Sequence, residues 1–259
     1  MKQEFAVVQF LKDAKRGSPV LWRSSVAMAI GMVLCFALPV IDARLIAGVS
    51  VWEKPAKFFL SLMVQAMTIA WAISLIPQYA RRLKSATWIF VFAAWFEMSY
   101  MIFRASRGEA SHFNQTSSLA IVMYALMGVG AVSLMVTSAF VGWRVWQQRG
   151  ASLMREAIGL GLMFGAFLGT IAGAYLSSHT SHWIGGDQTD ASGLAFFHWS
   201  TTGGDLRVAH FVGLHATQFV PLAALSGNRM VVYGMAGACV LLTVASFVMA
   251  VLALPILQL

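Results

Sequence analysis

The sequence predicts an all-α integral membrane protein. It reads as a seven-transmembrane-helix bundle, with the N-terminus cytoplasmic, the C-terminus outside, and a long ordered outer loop between the fifth and sixth spans. Three observations predict this. The chain has 259 residues, 59% of them hydrophobic and only 11% charged, whereas a soluble domain carries about 25% charged residues. Seven apolar runs approach or exceed the roughly 20 residues that a helix needs to cross a bilayer. The basic residues are divided unequally between alternate connections, as the positive-inside rule describes. This composition excludes a soluble globular enzyme, a disordered chain and a disulfide scaffold. The net charge of +8 reads as an orientation signal, not as a nucleic-acid surface. Residues 1–259 form one transmembrane domain.

Residues 2–16 read as a short amphipathic helix. Phe5, Val8, Phe10 and Leu11 would lie on the membrane, and Lys12, Lys15 and Arg16 near lipid headgroups. A solvated basic tail is the competing reading. The spans are placed near 23–41, 58–77, 87–104, 118–142, 156–178, 207–226 and 230–255. The first is read as an uncleaved anchor, because its apolar run is too long for a signal peptide and Val40-Ile41-Asp42-Ala43 is a poor cleavage site. Residues 42–53 are a second surface segment, and Lys54 and Lys57 beside the second span are expected to snorkel.

One set of connections carries Lys2, Lys12, Lys15, Arg16, Arg23, Arg81, Arg82, Lys84, Arg144, Arg149, Arg155 and Arg229. The other carries Arg44, Lys54, Lys57, Arg104, Arg107 and Arg207. The first set is assigned to the cytoplasm. Cys35 and Cys239 lie in apolar runs and read as small buried hydrophobes.

The fifth span repeats a small residue every fourth position: Ala157, Gly161, Gly165, Gly169, Gly173 and Ser177. Such a stripe allows close helix approach. Packing within the chain is the leading reading. A homo-oligomer through the Gly161/Gly165/Gly169/Gly173 face, or a wall against a flat cofactor or lipid, remains open.

All six histidines, His112, His179, His182, His198, His210 and His215, fall in the predicted outer half. On the sixth span, with Arg207 at the origin, His210 lies at about −60°, Gln218 at about +20° and His215 at about +80°. That polar face must point at the bundle interior or a water-filled cavity. His210 and His215 diverge, so they are a poor chelating pair by themselves. Asp205 is a candidate N-cap for this span. Glu97, midway along the third span, is a functional candidate by its depth. A structural pair with Arg104 or Arg207 is the competing reading. Ser111, His112 and Asn114 sit beyond that span, where Asn114-Gln-Thr116 forms a glycosylation sequon that is often fortuitous. The 178–206 connection is long, aromatic and free of Lys and Arg, and it reads as a lid.

Trp52-Glu-Lys-Pro-Ala-Lys57-Phe, Ser111-His112-Phe113-Asn114 and Trp199-Ser-Thr-Thr-Gly-Gly-Asp205-Leu-Arg207-Val-Ala-His210-Phe-Val-Gly-Leu-His215-Ala-Thr-Gln218 resemble a family of bacterial polytopic inner-membrane proteins to which no activity is assigned. The resemblance implies a shared outer site in a multi-pass plasma-membrane protein, and no particular chemistry. The family has a Gly/Pro-rich acidic stretch in the long loop. This chain has Gly185-Gly-Asp-Gln-Thr-Asp190 there, without proline, so His182 and His198 carry less weight than His112, His210 and His215.

These residues predict a metal- or haem-dependent membrane enzyme or redox protein. His112, His210 and His215 are the candidate ligands of a transition metal ion or haem. Gln218 is a further cofactor contact. Glu97 is the proton acceptor, Arg207 orients an anionic or carbonyl group, and Ser111 is a catalytic candidate on the analogy of seven-helix zinc hydrolases. That analogy is weak, because the last span has no histidine. The expected partners are the lipid bilayer and a small-molecule or lipid-soluble substrate. The alternatives are a proton-coupled or small-anion transporter and a non-catalytic subunit. A retinal Schiff base is disfavoured, since the seventh span has no lysine.

Overall fold

The computed structural model describes residues 2–257, with side chains from Val7 onward. Phe5, expected on the membrane face of the first helix, lies outside the described side chains. Seven helices are long and apolar enough to cross a membrane. They are α2 (Pro19–Ala37, extended by a 3-10 turn to Val40), α3 (Glu53–Ser74), α4 (Lys84–Ser106), α5 (Ser118–Trp146), α6 (Leu153–Ser177), α7 (Leu206–Ala223, extended to Ser226) and α8 (Arg229–Val251). The architecture is that of a multi-pass membrane protein. Valines, leucines and isoleucines stand exposed on the outer faces of α2, α5 and α8, among them Ile30, Val33, Val129, Val136, Leu241 and Leu242. In lipid this surface needs no cover.

The helix ends follow local chemistry. The hydroxyls of Ser18, Ser117 and Ser152 and the Asn228 amide oxygen accept backbone N–H groups at the starts of α2, α5, α6 and α8. The Asp205 carboxylate does so for Arg207 N at the start of α7, as its sequence position predicts. The short α1 (Lys2–Gly17) lies across the end of α3. Its Ala14 is fully buried, the Phe10 ring meets Trp71 edge-on at 5.3 Å, and Gly17 abuts the Ala70 carbonyl.

The small-residue stripe of α6 is filled by α7 of the same chain. A Cβ on Gly161 would sit 2.9 Å from the Ala216 oxygen, and one on Gly165 2.3 Å from Thr217 Cγ2. Gly169 meets Leu214 and Gly173 meets the His210 ring. At these four positions the stripe packs within the chain, the leading reading of its spacing. Both cysteines are buried and unpaired, as expected.

Two small ribbons close one end of the bundle. β1 (Leu45–Ile46) and β2 (Val49–Ser50) form a hairpin, with Ala47 (φ 52°) and Gly48 (φ 83°) both left-handed at its two-residue turn. β3 (Trp183–Ile184) pairs antiparallel with β4 (Gly204–Asp205), so the 178–205 connection begins and ends on one ribbon. This is the lid end. The opposite end carries α1 and the more basic connections.

Candidate functional site

The lid is latched by charge. Arg207, in the first turn of α7, donates through Nε to Asp205 and through Nη2 to Asp205 (2.6 Å), Asp190 (2.9 Å) and the His198 carbonyl (2.6 Å). Asp205 also accepts Ser200 N, and the hairpin carbonyl of Ala47 accepts Asp190 N at 2.8 Å. At a second point His198 Nε2 meets the Glu53 carboxylate, which also holds Lys57 at 2.8 Å. His198 and Phe196 adopt left-handed backbone (φ 56° and 67°), a strain that such anchors can hold. Under the lid, Phe197 stacks on Trp199 and both rings meet Phe211.

Below the lid, α3, α4, α7 and the 107–117 connection bring a second set of polar groups together. Lys54 is water-accessible, yet within electrostatic reach of Glu97, Asp190 and Arg207. The polar groups gathered around Lys54 outline a candidate cavity under the 178–205 connection. Glu97 is 4% exposed, and its Oε1 has no hydrogen-bond partner. Gly130 of α5 makes room for it: a Cβ there would lie 2.8 Å from Oε1. The Tyr100 hydroxyl, one turn from Glu97, is also buried and unpartnered. His112 enters between Phe58 and Tyr124, its Nδ1 3.0 Å from Ser111 Oγ, and it feels the charges of Lys54 and His210. His210 donates Nδ1–H to the Gly169 carbonyl at 2.9 Å. That bond fixes the tautomer and leaves Nε2 with its lone pair.

Deeper still, Gln65 and Thr68 of α3, Ser138 of α5, and Thr217 and Gln218 of α7 form one hydrogen-bonded network. The Gln65 amide donates to Ser138 Oγ at 3.0 Å, and the Gln218 amide donates to Gln65 Oε1 and Thr68 Oγ1, each at 3.2 Å. Beyond it lies a layer of aliphatic side chains, Ile69, Ile73, Val141, Val145, Ile158 and Leu162, each 0–1% exposed; the buried polar groups toward that end, Ser24, Ser25, Thr87 and Glu156, stand apart from the network. The polar column therefore runs from the lid to mid-bundle and ends there.

The expected site is thus partly assembled. His112, His210 and Glu97 share the cavity region. Arg207 spends Nε and Nη2 on Asp205, Asp190 and the His198 carbonyl. Gln218 is taken by the α3–α7 network. His215 donates Nδ1–H to the Phe211 carbonyl and stacks on that ring at 3.8 Å, away from His210. Among the described residues no three His, Cys, Asp or Glu side chains stand close enough to hold a metal ion. Ser111 Oγ is hydrogen-bonded to His112 Nδ1. Glu97 pairs with neither arginine, since Arg104 binds Glu109 at 2.7 Å. His179 is held by the Tyr175 carbonyl and His182 lies 3.4 Å from Asp190. Asn114 is 8% exposed and bonded to Ala110 and Thr116, so the sequon is not presented. Sequence reasoning missed Lys54 as a cavity residue and Asp190 as the partner of Arg207. It also missed Glu53 as the anchor of His198, and the Glu156–Tyr233 bond (2.6 Å) at the opposite end. Only the sparseness of charge could have singled these residues out.

Acidification is expected to loosen the lid end. Burial holds His112 well below the ordinary histidine range, reinforced by the charges of Lys54 and His210. Burial likewise lowers His182, against the pull of Asp190. Burial pushes Asp190 up, but its bonds to His182 and Arg207 outweigh this, and its net shift is downward. All three signs agree. The folded state binds fewer protons than the unfolded chain, so the histidine contributions are complete above about pH 6.5 and fall away below it. The Asp190 contribution is lost only as pH falls below about 4. Unfolding in detergent should show a plateau above neutrality, then a loss approaching about 1.4 kcal/mol per pH unit for each histidine. A flat profile between pH 7.5 and 5 would contradict this.

No family model, curated protein or solved structure matches the chain. The resemblance drawn from its sequence segments therefore stands on those segments, and the functional reading on the geometry above.

Proposed function

We propose that this protein binds a small or lipid-soluble ligand in the lid-end cavity and exchanges a proton with it through Glu97, as a one-sided membrane enzyme or redox protein. The positive-inside rule puts the basic end in the cytoplasm, and so the cavity on the periplasmic side of a bacterial inner membrane. The observation that carries this reading is the polar column that starts under the lid, reaches the unpartnered Glu97 carboxyl, and stops against a layer of buried aliphatic side chains. A transporter needs a continuation to the other side; a binding or catalytic site does not. In this reading Lys54 attracts a negative or carbonyl oxygen, His112 and His210 offer ring nitrogens to it, and Glu97 gives or takes the proton. Arg207 holds the lid that keeps bulk water out.

A second reading is favoured by one specific observation. His210 and His215 each spend Nδ1–H on a backbone carbonyl, the arrangement that aims Nε2 at a metal in many sites. With His112, His210 could ligate a haem iron or a metal that brings ligands of its own. Metal analysis and an optical spectrum of the purified protein separate the two readings: a stoichiometric metal or a Soret band supports ligation.

The proton role has its own test. An infrared titration should show a carboxyl C=O band that changes with pH in the wild type and is absent in Glu97→Gln, with the fold retained. An unchanged band in the variant removes Glu97 from the mechanism.

A further inference from the structure

At the opposite end of the molecule, Lys12, Lys15, Arg16, Pro19, Trp22 and Arg23 line an open groove of about 460 Å³. The groove forms where α1 turns through Ser18 into α2. α1 is fixed there by its buried face, with Ala14 fully buried and Phe10 on Trp71. Its three cations therefore stand at set positions against the first turns of α2. Asp13, at the same elbow, is bonded to Gln9 at 2.9 Å and lies 3.8 Å from Arg16. Among the described residues, Asp13 is the one carboxylate set against these four cations.

We infer that this groove is a binding site for the headgroup of an anionic phospholipid. Three features point to a lipid. Pro19 opens the first turn of a membrane-spanning helix, so the groove lies at headgroup depth on whichever side that end faces. Pro19 and Trp22 supply an apolar surface beside the cations, which suits a phosphodiester joined to a glycerol and acyl chains. The charge is concentrated: the lysines and arginines come from two helices onto one concavity, and polybasic surfaces next to a span attract anionic lipid. The site is separate from the lid-end cavity and does not depend on the function proposed for it.

The test uses the full-length protein in neutral detergent, with phosphatidylglycerol and phosphatidylcholine as probes and native mass spectrometry to count retained lipid. The wild type should retain phosphatidylglycerol at least tenfold more tightly than phosphatidylcholine. Lys15→Gln with Arg16→Gln should lose most of that preference. Arg81→Gln with Arg82→Gln removes the same charge from exposed positions outside the groove, and should keep it. Lys15→Arg, which keeps the charge, should also keep it, which separates binding from folding. Equal loss in both double variants would reduce the effect to diffuse surface charge and overturn the site. So would a wild type without lipid preference. Inorganic phosphate that binds as tightly as the lipid and displaces it would make this a free-phosphate site, and the lipid proposal would fail.

Discussion

Replacing Arg207 with methionine is expected to free the lid while leaving the seven-helix bundle assembled. The guanidinium is the only described cation bonded to both Asp205 and Asp190, whose side chains are 2% and 14% exposed. Without it two carboxylates face each other's charge in a poorly solvated space. Removing one partner of a buried ion pair costs about 3–5 kcal/mol. Asp205 keeps two backbone donors, Ser200 N and Arg207 N, which places the cost near about 3 kcal/mol, or roughly a hundredfold in the opening equilibrium. The loss should be local. Amide exchange at Asp190 and Leu194, whose N–H groups are held by Ala47 and Trp199 carbonyls, should accelerate about a hundredfold. Amides in α6 should not change. Arg207→Lys should fall between, since an ammonium cannot span the carboxylates and the His198 carbonyl in one plane. Unchanged exchange in the methionine variant would mean that the ribbons and aromatic stack close the lid without the latch.

That latch marks the border of what the sequence reveals. The helices are legible because they depend on neighbours in the chain: an apolar run of sufficient length, with the more basic connections at alternate ends. The same holds for the Asp205 cap and for the glycine stripe of α6, whose four-residue spacing signals close approach, though not which helix approaches. Charge partners are another matter. Arg104 sits two turns beyond Glu97 and shares its helix face, yet it turns to Glu109, because Gly108 in the left-handed region (φ 70°) folds the chain back toward it. Asp190 reaches Arg207 across 17 residues of lid, and Glu53 reaches His198 across 145. Neither distance is encoded in a helical period. Lys54 looked like a snorkelling residue because its depth could be read, but not its direction. The cavity is made by a lid closing over a bundle, and periodicity describes the bundle alone.

One chemical change made at two glycines should have opposite signs. At Gly165 a new methyl group would sit 2.3 Å from Thr217 Cγ2 and 2.9 Å from the Leu214 carbonyl oxygen. The second of these is backbone, so α7 itself must move. At Gly237 of α8 nothing lies within 4 Å. Alanine improves helix propensity at both positions by up to about 1 kcal/mol. At Gly237 only that gain remains, and the variant should be as stable as the wild type or more so. At Gly165 the gain is overrun by overpacking, about 1–3 kcal/mol, and by damage to the polar network. Thr217 Oγ1 donates in that network toward Gln65 and Gln218, so pushing α7 outward disturbs the hydrogen bonds that tie it to α3. Reversible unfolding in mixed micelles should therefore shift the Gly165→Ala midpoint down and leave Gly237→Ala at or above the wild type. The midpoint should not depend on protein concentration, because α7 of the same chain, and not a second copy, fills the stripe. If Gly165→Ala changed oligomeric state and left monomer stability untouched, the stripe would be an interface between chains, and the α6–α7 packing that carries His210 to the cavity would have to be given up.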